Sequence, residues 1–147
     1  MIALTRISLI NLKNNRMDKL EYIPGDLAFH YIPKTIIKKY VKVYVCSTQN
    51  ALSLEDMDGN LYDYIGELYP IPLTPEILEK NGWKKLKIND CAYFYYKDGL
   101  FLTYTSKDGK FWFDDFDYSS GICVELPYVH SLQHLFFGMG IKNEMEV

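Results

Sequence analysis

Between Gly25 and Ile65, apolar and polar positions alternate with a period of two, the pattern of strands that bury one face. Val41, Val43 and Val45 alternate with Lys42, Tyr44 and Cys46, and their β-branching outweighs the helical spacing that Ile36, Ile37, Tyr40 and Val41 also satisfy. Leu52 and Leu54 continue the alternation. Gly25 breaks the chain before a short strand over Asp26–Ile32, centred on Leu27 and Phe29 and closed by Pro33. Asp58-Gly59 supplies the positive φ angles of a tight hairpin turn, and Leu61–Ile65 returns as a strand. Strands this short, within about fifty residues, predict a small curled sheet or SH3-like barrel.

Pro70 and Pro72 interrupt the ladder and mark a subdomain boundary. The clearest helix start in the chain follows. Thr74 can cap it, Pro75 fits the first helical position, Glu76 favours the positive end of the dipole, and Ile77 and Leu78 face inward. Gly82 ends the helix in a left-handed conformation, and Trp83 folds back on the last turn.

From Cys91 to Leu126 the pattern predicts a four-stranded antiparallel meander, with two-residue hairpins at Asp98-Gly99 and Asp108-Gly109. One face then collects Cys91, Tyr93, Tyr95, Leu102, Tyr104, Phe111 and Phe113, the candidate core. The other carries Phe94, Tyr96, Phe101, Trp112 and Phe116, interleaved with Thr103, Thr105 and Asp114. A last helix over Tyr128–Gly138 lays an apolar stripe (Tyr128, Val129, Leu132, Leu135, Phe136, Met139) on a sheet, leaving His130, Gln133, His134 and Phe137 on the opposite side. The fold class expected is α+β: a small N-terminal β-barrel-like (SH3-like) unit over residues 17–73, then helix, four-stranded antiparallel meander and C-terminal helix over 74–147. Residues 1–16, ahead of Met17, are weakly patterned and read as an extension from an upstream start codon.

Composition agrees with a folded, strand-rich chain. In 147 residues, 48% are hydrophobic and 24% charged, which excludes intrinsic disorder, and 13 Tyr, 8 Phe and 2 Trp favour a pleated surface. The net charge of −3 is too small to steer a polyanion strongly. It is unevenly spread: residues 1–42 hold eight basic and three acidic side chains, whereas residues 43–79 hold seven acidic and no basic ones. No apolar run has the length of a membrane span, and no signal-peptide pattern occurs. Cys46, Cys91 and Cys123 lack a C-x-x-C spacing and fall in predicted strands, so they read as small buried residues in a reducing cytoplasm.

Candidate chemistry is sparse. His130 and His134 share a helix face at i and i+4, but two ligands do not make a metal site, and no Glu follows His130. Asp114, Asp115 and Asp117, with Asp90 elsewhere, or a Cys paired with a His such as His30, would have to converge in a pocket for a small metal-dependent hydrolase. No G-x-S-x-G, G-x-G-x-x-G or Walker pattern is present. No catalytic residue, cofactor or metal is therefore assigned. Lys34, Lys38, Lys39 and Lys42, with Tyr31, Tyr40 and Tyr44, offer a nucleic-acid surface of phosphate contacts and stacking rings.

Two segments resemble a known group. Tyr128-Val129-His130-Ser131-Leu132-Gln133-His134-Leu135-Phe136-Phe137, and Ile71–Leu78 leading to Asn81-Gly82-Trp83, resemble small uncharacterised proteins of Bacteroides-type gut bacteria and their phages or mobile elements. That group ends in a Tyr-Val-His helix with Asn where this chain has His134. The resemblance implies a cytoplasmic accessory protein and carries no activity. The function expected is a non-catalytic interaction module that binds another protein or itself through Phe94, Tyr96, Phe101, Trp112 and Phe116. A nucleic-acid-binding module using the four lysines and a small hydrolase are the alternatives.

Overall fold

The computed structural model describes residues 22–46, 52–114 and 123–147, the side chains of Val45, Cys46 and Asp114 excepted. The expected extension over residues 1–16, Met17, Asp115, Phe116 and Asp117 thus lie outside the described residues. The chain divides into two compact units, one ending at Leu68 and the other beginning at Tyr69.

The first sheet contains β1 (Leu27–Tyr31), β2 (Lys38–Cys46), β3 (Leu52–Asp56), β4 (Leu61–Tyr64) and the two-residue β5 (Tyr69–Pro70), in the order β4-β3-β2-β1-β5. The β-branched run chosen over a helix becomes β2, the longest strand. A bulge between Val43 and Val45 lets the chain keep pairing with β3 while it bends. One face gathers Ala28, Val41, Val43, Leu52 and Leu54 with Tyr22, and Tyr62, Tyr64 and Leu68 pack against them.

The second unit holds β6 (Lys84–Lys87), β7 (Ala92–Lys97), β8 (Leu100–Thr105), β9 (Lys110–Asp114) and β10 (Cys123–Glu125), in the order β10-β9-β8-β7-β6. It also holds helices α1 (Pro75–Lys80) and α2 (Val129–Gly138). The molecule is therefore mostly β, with two antiparallel five-stranded sheets and no closed barrel among the described residues. The SH3-like barrel with helices and a four-stranded meander is corrected on both counts. The first sheet stays open because its outer strands, β4 and β5, are the ends of the order and are not paired with each other. The second gains β6, a Lys-Lys-Leu-Lys run whose lysines suit a strand with an unpaired edge.

Turn chemistry sets the registers. Of the three Asp-Gly pairs, Asp98-Gly99 alone has both residues at positive φ (+49° and +81°), and it closes a two-residue hairpin that pairs Lys97 with Leu100. At Asp108-Gly109 only the glycine is left-handed, and the loop lengthens so that Thr105 pairs with Lys110, not Lys107 with Lys110. At Asp58-Gly59, Asp56 and Asn60 close the loop around three residues, with Gly59 at φ +85°.

Both helices end in the same device. The Gly82 N–H bonds the Glu79 carbonyl and the Trp83 N–H that of Leu78; the Gly140 N–H bonds Phe137 and the Ile141 N–H bonds Phe136. Each is a Schellman motif around a left-handed glycine, at φ +83° and +69°. At its other end α1 begins as its sequence requires, with the Ile77 N–H donating to Thr74 Oγ1 at 3.3 Å and Pro75 in the first turn. The segment before α1 pairs with the segment before α2, since the Leu73 N–H donates to the Pro127 carbonyl and the Val129 N–H to that of Ile71. Ile71, Leu73, Leu78, Trp83, Tyr95, Leu102, Phe111, Leu126, Val129, Leu132 and Phe136 are the buried apolar side chains of this arrangement among the described residues.

The apolar stripe of α2 is also corrected. His130 and Gln133 are buried along with Val129, Leu132 and Phe136, while Met139 is exposed. Residues 141–147 account for Gln133: its Nε2 donates to the Asn143 carbonyl at 2.9 Å.

Candidate functional site

The five strands of the second sheet bring one row of side chains together. Leu86 lies opposite Phe94, Phe94 opposite Thr103, Thr103 opposite Trp112, and Trp112 opposite Glu125. Alternation puts this whole row on the face away from Tyr95, Leu102 and Phe111, the three side chains buried from the other side. Tyr96 and Phe101 are cross-strand partners on the same outer face, with rings 5.9 Å apart, and Phe94 meets Phe101 edge-on at 6.3 Å. Phe94, Tyr96 and Trp112 are half-buried, whereas Phe101 is 40% and Leu86 54% exposed. Four of the five aromatic residues expected to form a partner surface thus share one face; Phe116 lies outside the described residues.

Charge on this face is sparse. Lys110 and Glu125 form an ion pair at 3.6 Å, and Lys84 stands opposite Tyr96. On the core face, Tyr95 is enclosed so that its hydroxyl has no hydrogen-bond partner among the described residues. Burial, with the Glu79 and Glu76 carboxylates of α1 adding to it, pushes this phenol up to about 12.

The four lysines of the nucleic-acid reading are divided between faces. Lys38 and Lys42 lie with Leu27, Phe29, Tyr31 and Tyr40, and the Lys38 ammonium sits 4.6 Å over the Phe29 ring. Lys39 points to the opposite face, where it pairs with Asp56 at 3.5 Å and covers the Tyr62 ring at 4.5 Å. Lys34 occupies the β1–β2 turn at φ +61°.

Around Lys39 is a polar cluster that sequence reasoning missed. His30 is buried, with Nδ1 3.0 Å from the Tyr31 carbonyl and Nε2 2.6 Å from the Tyr62 hydroxyl, and its ring stacks on Tyr64 at 4.3 Å. A carbonyl only accepts, so Nδ1 carries a proton, and in that tautomer Tyr62 donates to Nε2. Burial raises the Tyr62 phenol above its ordinary value, and the Asp56 carboxylate and Tyr64 push the same way. Tyr62 is thereby kept as a hydrogen-bond donor; the same shift works against a phenolate nucleophile.

Asp56 anchors the turn beside this cluster. Its Oδ1 accepts the Asn60 N–H at 2.9 Å and the Asp58 N–H at 3.0 Å. Chiefly through the Asn60 main-chain bond, and despite partial desolvation, its carboxyl is held below the ordinary 3.8; the Asn60 side chain, Asp58 and Lys39 add to the effect. A carboxyl depressed in the fold contributes stability above its unfolded-state pKa, and that contribution fades as pH falls through the folded-state value. Asp56→Asn should therefore lower the neutral plateau and converge on wild type in acid, which flattens the acid limb of stability below about pH 4. Urea midpoints measured from pH 2 to 7 check this, and an unchanged acid limb would refute it.

Of the remaining candidates, Asp115, Asp117 and the side chain of Asp114 lie outside the described residues. His130 and His134 meet edge-on at 5.5 Å, and Tyr128 stacks on His130 at 5.6 Å. Among the described residues, no group of three or more His, Cys, Asp and Glu is placed to hold a metal ion. Cys91 and Cys123 are exposed free thiols, a correction to the buried reading: Cys91 precedes β7, and Cys123 opens β10, the last strand in the sheet order. No helix among the described residues is long and apolar enough to cross a membrane. Compared with family models, curated proteins and solved structures, the chain matches none of them.

Proposed function

We propose that the chain is a non-catalytic interaction module whose contact surface is the outer face of the second sheet. The alignment of Leu86, Phe94, Trp112 and the Tyr96–Phe101 pair on one face carries this reading. Aromatic side chains around small polar Thr103, rimmed by the Lys110–Glu125 pair, have the composition of an interface centre and its margin. Trp112 and Phe94 are the anchors at the middle of the row, and Phe101 and Leu86 supply the exposed area. The sparse charge favours a protein surface over a polyanion as the partner. Exposed free thiols suit a cytoplasmic location, and the resemblance at Ile71–Trp83 and Tyr128–Phe137 suits an accessory protein of a phage or mobile element.

The test acts on the most exposed ring. Phe101→Glu should leave the melting temperature within about 2 °C, because the side chain is at the surface. It should abolish concentration-dependent self-association in sedimentation and retention of a defined partner. Trp112→Ala should weaken the same association and cost some stability as well. If Phe101→Glu and wild type associate identically, this face is not the contact surface.

A further inference from the structure

The second unit also holds its own last residues by side-chain hydrogen bonds. Residues 141–147 join neither sheet, yet they are held along their length by side chains. Asn81 exchanges two hydrogen bonds with one residue of the strap: its Nδ2 donates to the Glu146 carbonyl at 2.8 Å, and its Oδ1 accepts the Glu146 N–H at 2.8 Å. Lys80 Nζ donates to the Val147 carbonyl at 2.9 Å, and buried Gln133 donates to the Asn143 carbonyl at 2.9 Å. Asn81 is itself fixed, because its Nδ2 also donates to the Ile77 carbonyl at 2.7 Å while Lys97 Nζ donates to the Asn81 carbonyl at 2.7 Å.

Every one of these strap bonds goes to main chain, so the seat reads an extended backbone whatever its side chains are. A side-chain amide that gives one N–H and takes another reproduces what a neighbouring strand does in a ladder. Side-chain preference comes from the alternation. Ile141, Asn143, Met145 and Val147 are half-buried, whereas Lys142, Glu144 and Glu146 are exposed. Ile141 and Met145 border a cavity of about 280 Å³ with Trp83, Leu100, Phe136 and Lys97.

We propose that the groove formed by Lys80, Asn81, Gln133 and Trp83 is a peptide-binding site that reads main chain, and that its trans occupant is the 141–147 strap of a second copy of this chain. The seat already fits that sequence, and the strap is half exposed and belongs to no sheet, so it can leave without breaking a ladder. In a single chain the tethered strap wins through its high local concentration. Exchange shows when one chain keeps a working groove and another keeps a working strap.

Two full-length variants separate these parts. Met145→Asp with Glu146→Pro spoils the strap by removing its apolar foot and the N–H that Asn81 accepts, while the groove stays intact. Asn81→Ala spoils the groove and keeps the strap. Mixed at roughly 0.5 mM each, a range in which a free segment can rival a weakened tether, the two should form an equimolar complex in sedimentation velocity. Neither should do so alone. The strap-spoiled chain should also bind a labelled peptide of residues 140–147 at least tenfold more tightly than wild type does, and adding Asn81→Ala should remove that gain. Hydrogen exchange should show residues 141–144 deprotected in the strap-spoiled chain while β7 and β8 stay protected. Lys80→Ala, an exposed change, should weaken the same complex if Asn81→Ala does not fold. Absence of a complex, a complex that survives when both defects are in one chain, peptide binding indifferent to Asn81, or retained strap protection would each overturn the proposal.

Discussion

Trp83→Ala should remove about 3–5 kcal/mol from the stability of the second unit, the range for truncating a buried large aromatic. Trp83 is 4% exposed, and its indole stacks on Phe136 at 6.0 Å with the planes 13° apart. The position does more than fill space. Trp83 is the residue beyond the left-handed Gly82, and its N–H satisfies the Leu78 carbonyl at the end of α1. Phe136 holds in α2 the place that Leu78 holds in α1, its carbonyl accepting the Ile141 N–H. One aromatic pair thus links the two helix ends, and its loss leaves a cavity where both chain reversals are packed. Trp83→Phe should recover much of the loss, because a ring remains against Phe136 while the backbone bonds are untouched. Urea unfolding followed by Trp112 emission, with circular dichroism as a second probe, gives the comparison. A loss below about 1 kcal/mol for Trp83→Ala would mean that the site collapses without a cavity and that the stacking carries little.

How far such features are legible in the sequence depends on parity. The loop at Asp108-Gly109 is longer than a two-residue turn, so β9 slips by two residues against β8, and a shift of two leaves each side chain on its face. The aromatic row was readable for that reason even though the pairing was not. At Asp58-Gly59 a two-residue turn would have paired Met57 with Asn60, whereas the three-residue loop pairs Glu55 with Leu61. That is a slip of one. It moves Tyr62 and Tyr64 to the face of Leu52 and Leu54 and turns Leu61 outward. The His30–Tyr62 bond spans 32 residues and exists only in the shifted register, so local patterning had no access to it.

Helix α2 shows a second limit. A stripe calculation asks which side of a helix is apolar, and it placed His130 and Gln133 outside. It does not register that a later segment, residues 141–147, supplies a carbonyl to Gln133 and makes burial of that amide affordable in hydrogen-bond terms. The cap signals were legible because they are local. Thr74, Pro75 and Gly82 each act within one turn of their own position. The strap is the opposite case: Asn81 finds Glu146 at a separation of 65 residues.

In the first unit the register argument becomes a measurement. Leu54→Ala should cost about 2–5 kcal/mol, and Leu61→Ala should stay within about 0.5 kcal/mol of wild type. Leu54 is fully buried, in one cluster with Val41, Val43 and Leu52, and lies opposite Tyr62. Removing its isopropyl group strands these neighbours around a void that a flanked sheet strand cannot close by moving, because β3 is bonded to β2 on one side and β4 on the other. Leu61 is 57% exposed at the start of β4, which ends the strand order, and its truncation removes little that is hidden from water. In a two-residue turn at Asp58-Gly59, Leu54 would stand opposite Asp63, and Tyr62 would leave the face it shares with Val41 and Val43. The paired substitutions therefore report the slip of one residue as well as the core. Hydrogen exchange of the β2 and β3 amides in Leu54→Ala should rise with the loss of stability. Equal costs for Leu54→Ala and Leu61→Ala would place both on a buried face and refute the register in which His30 meets Tyr62.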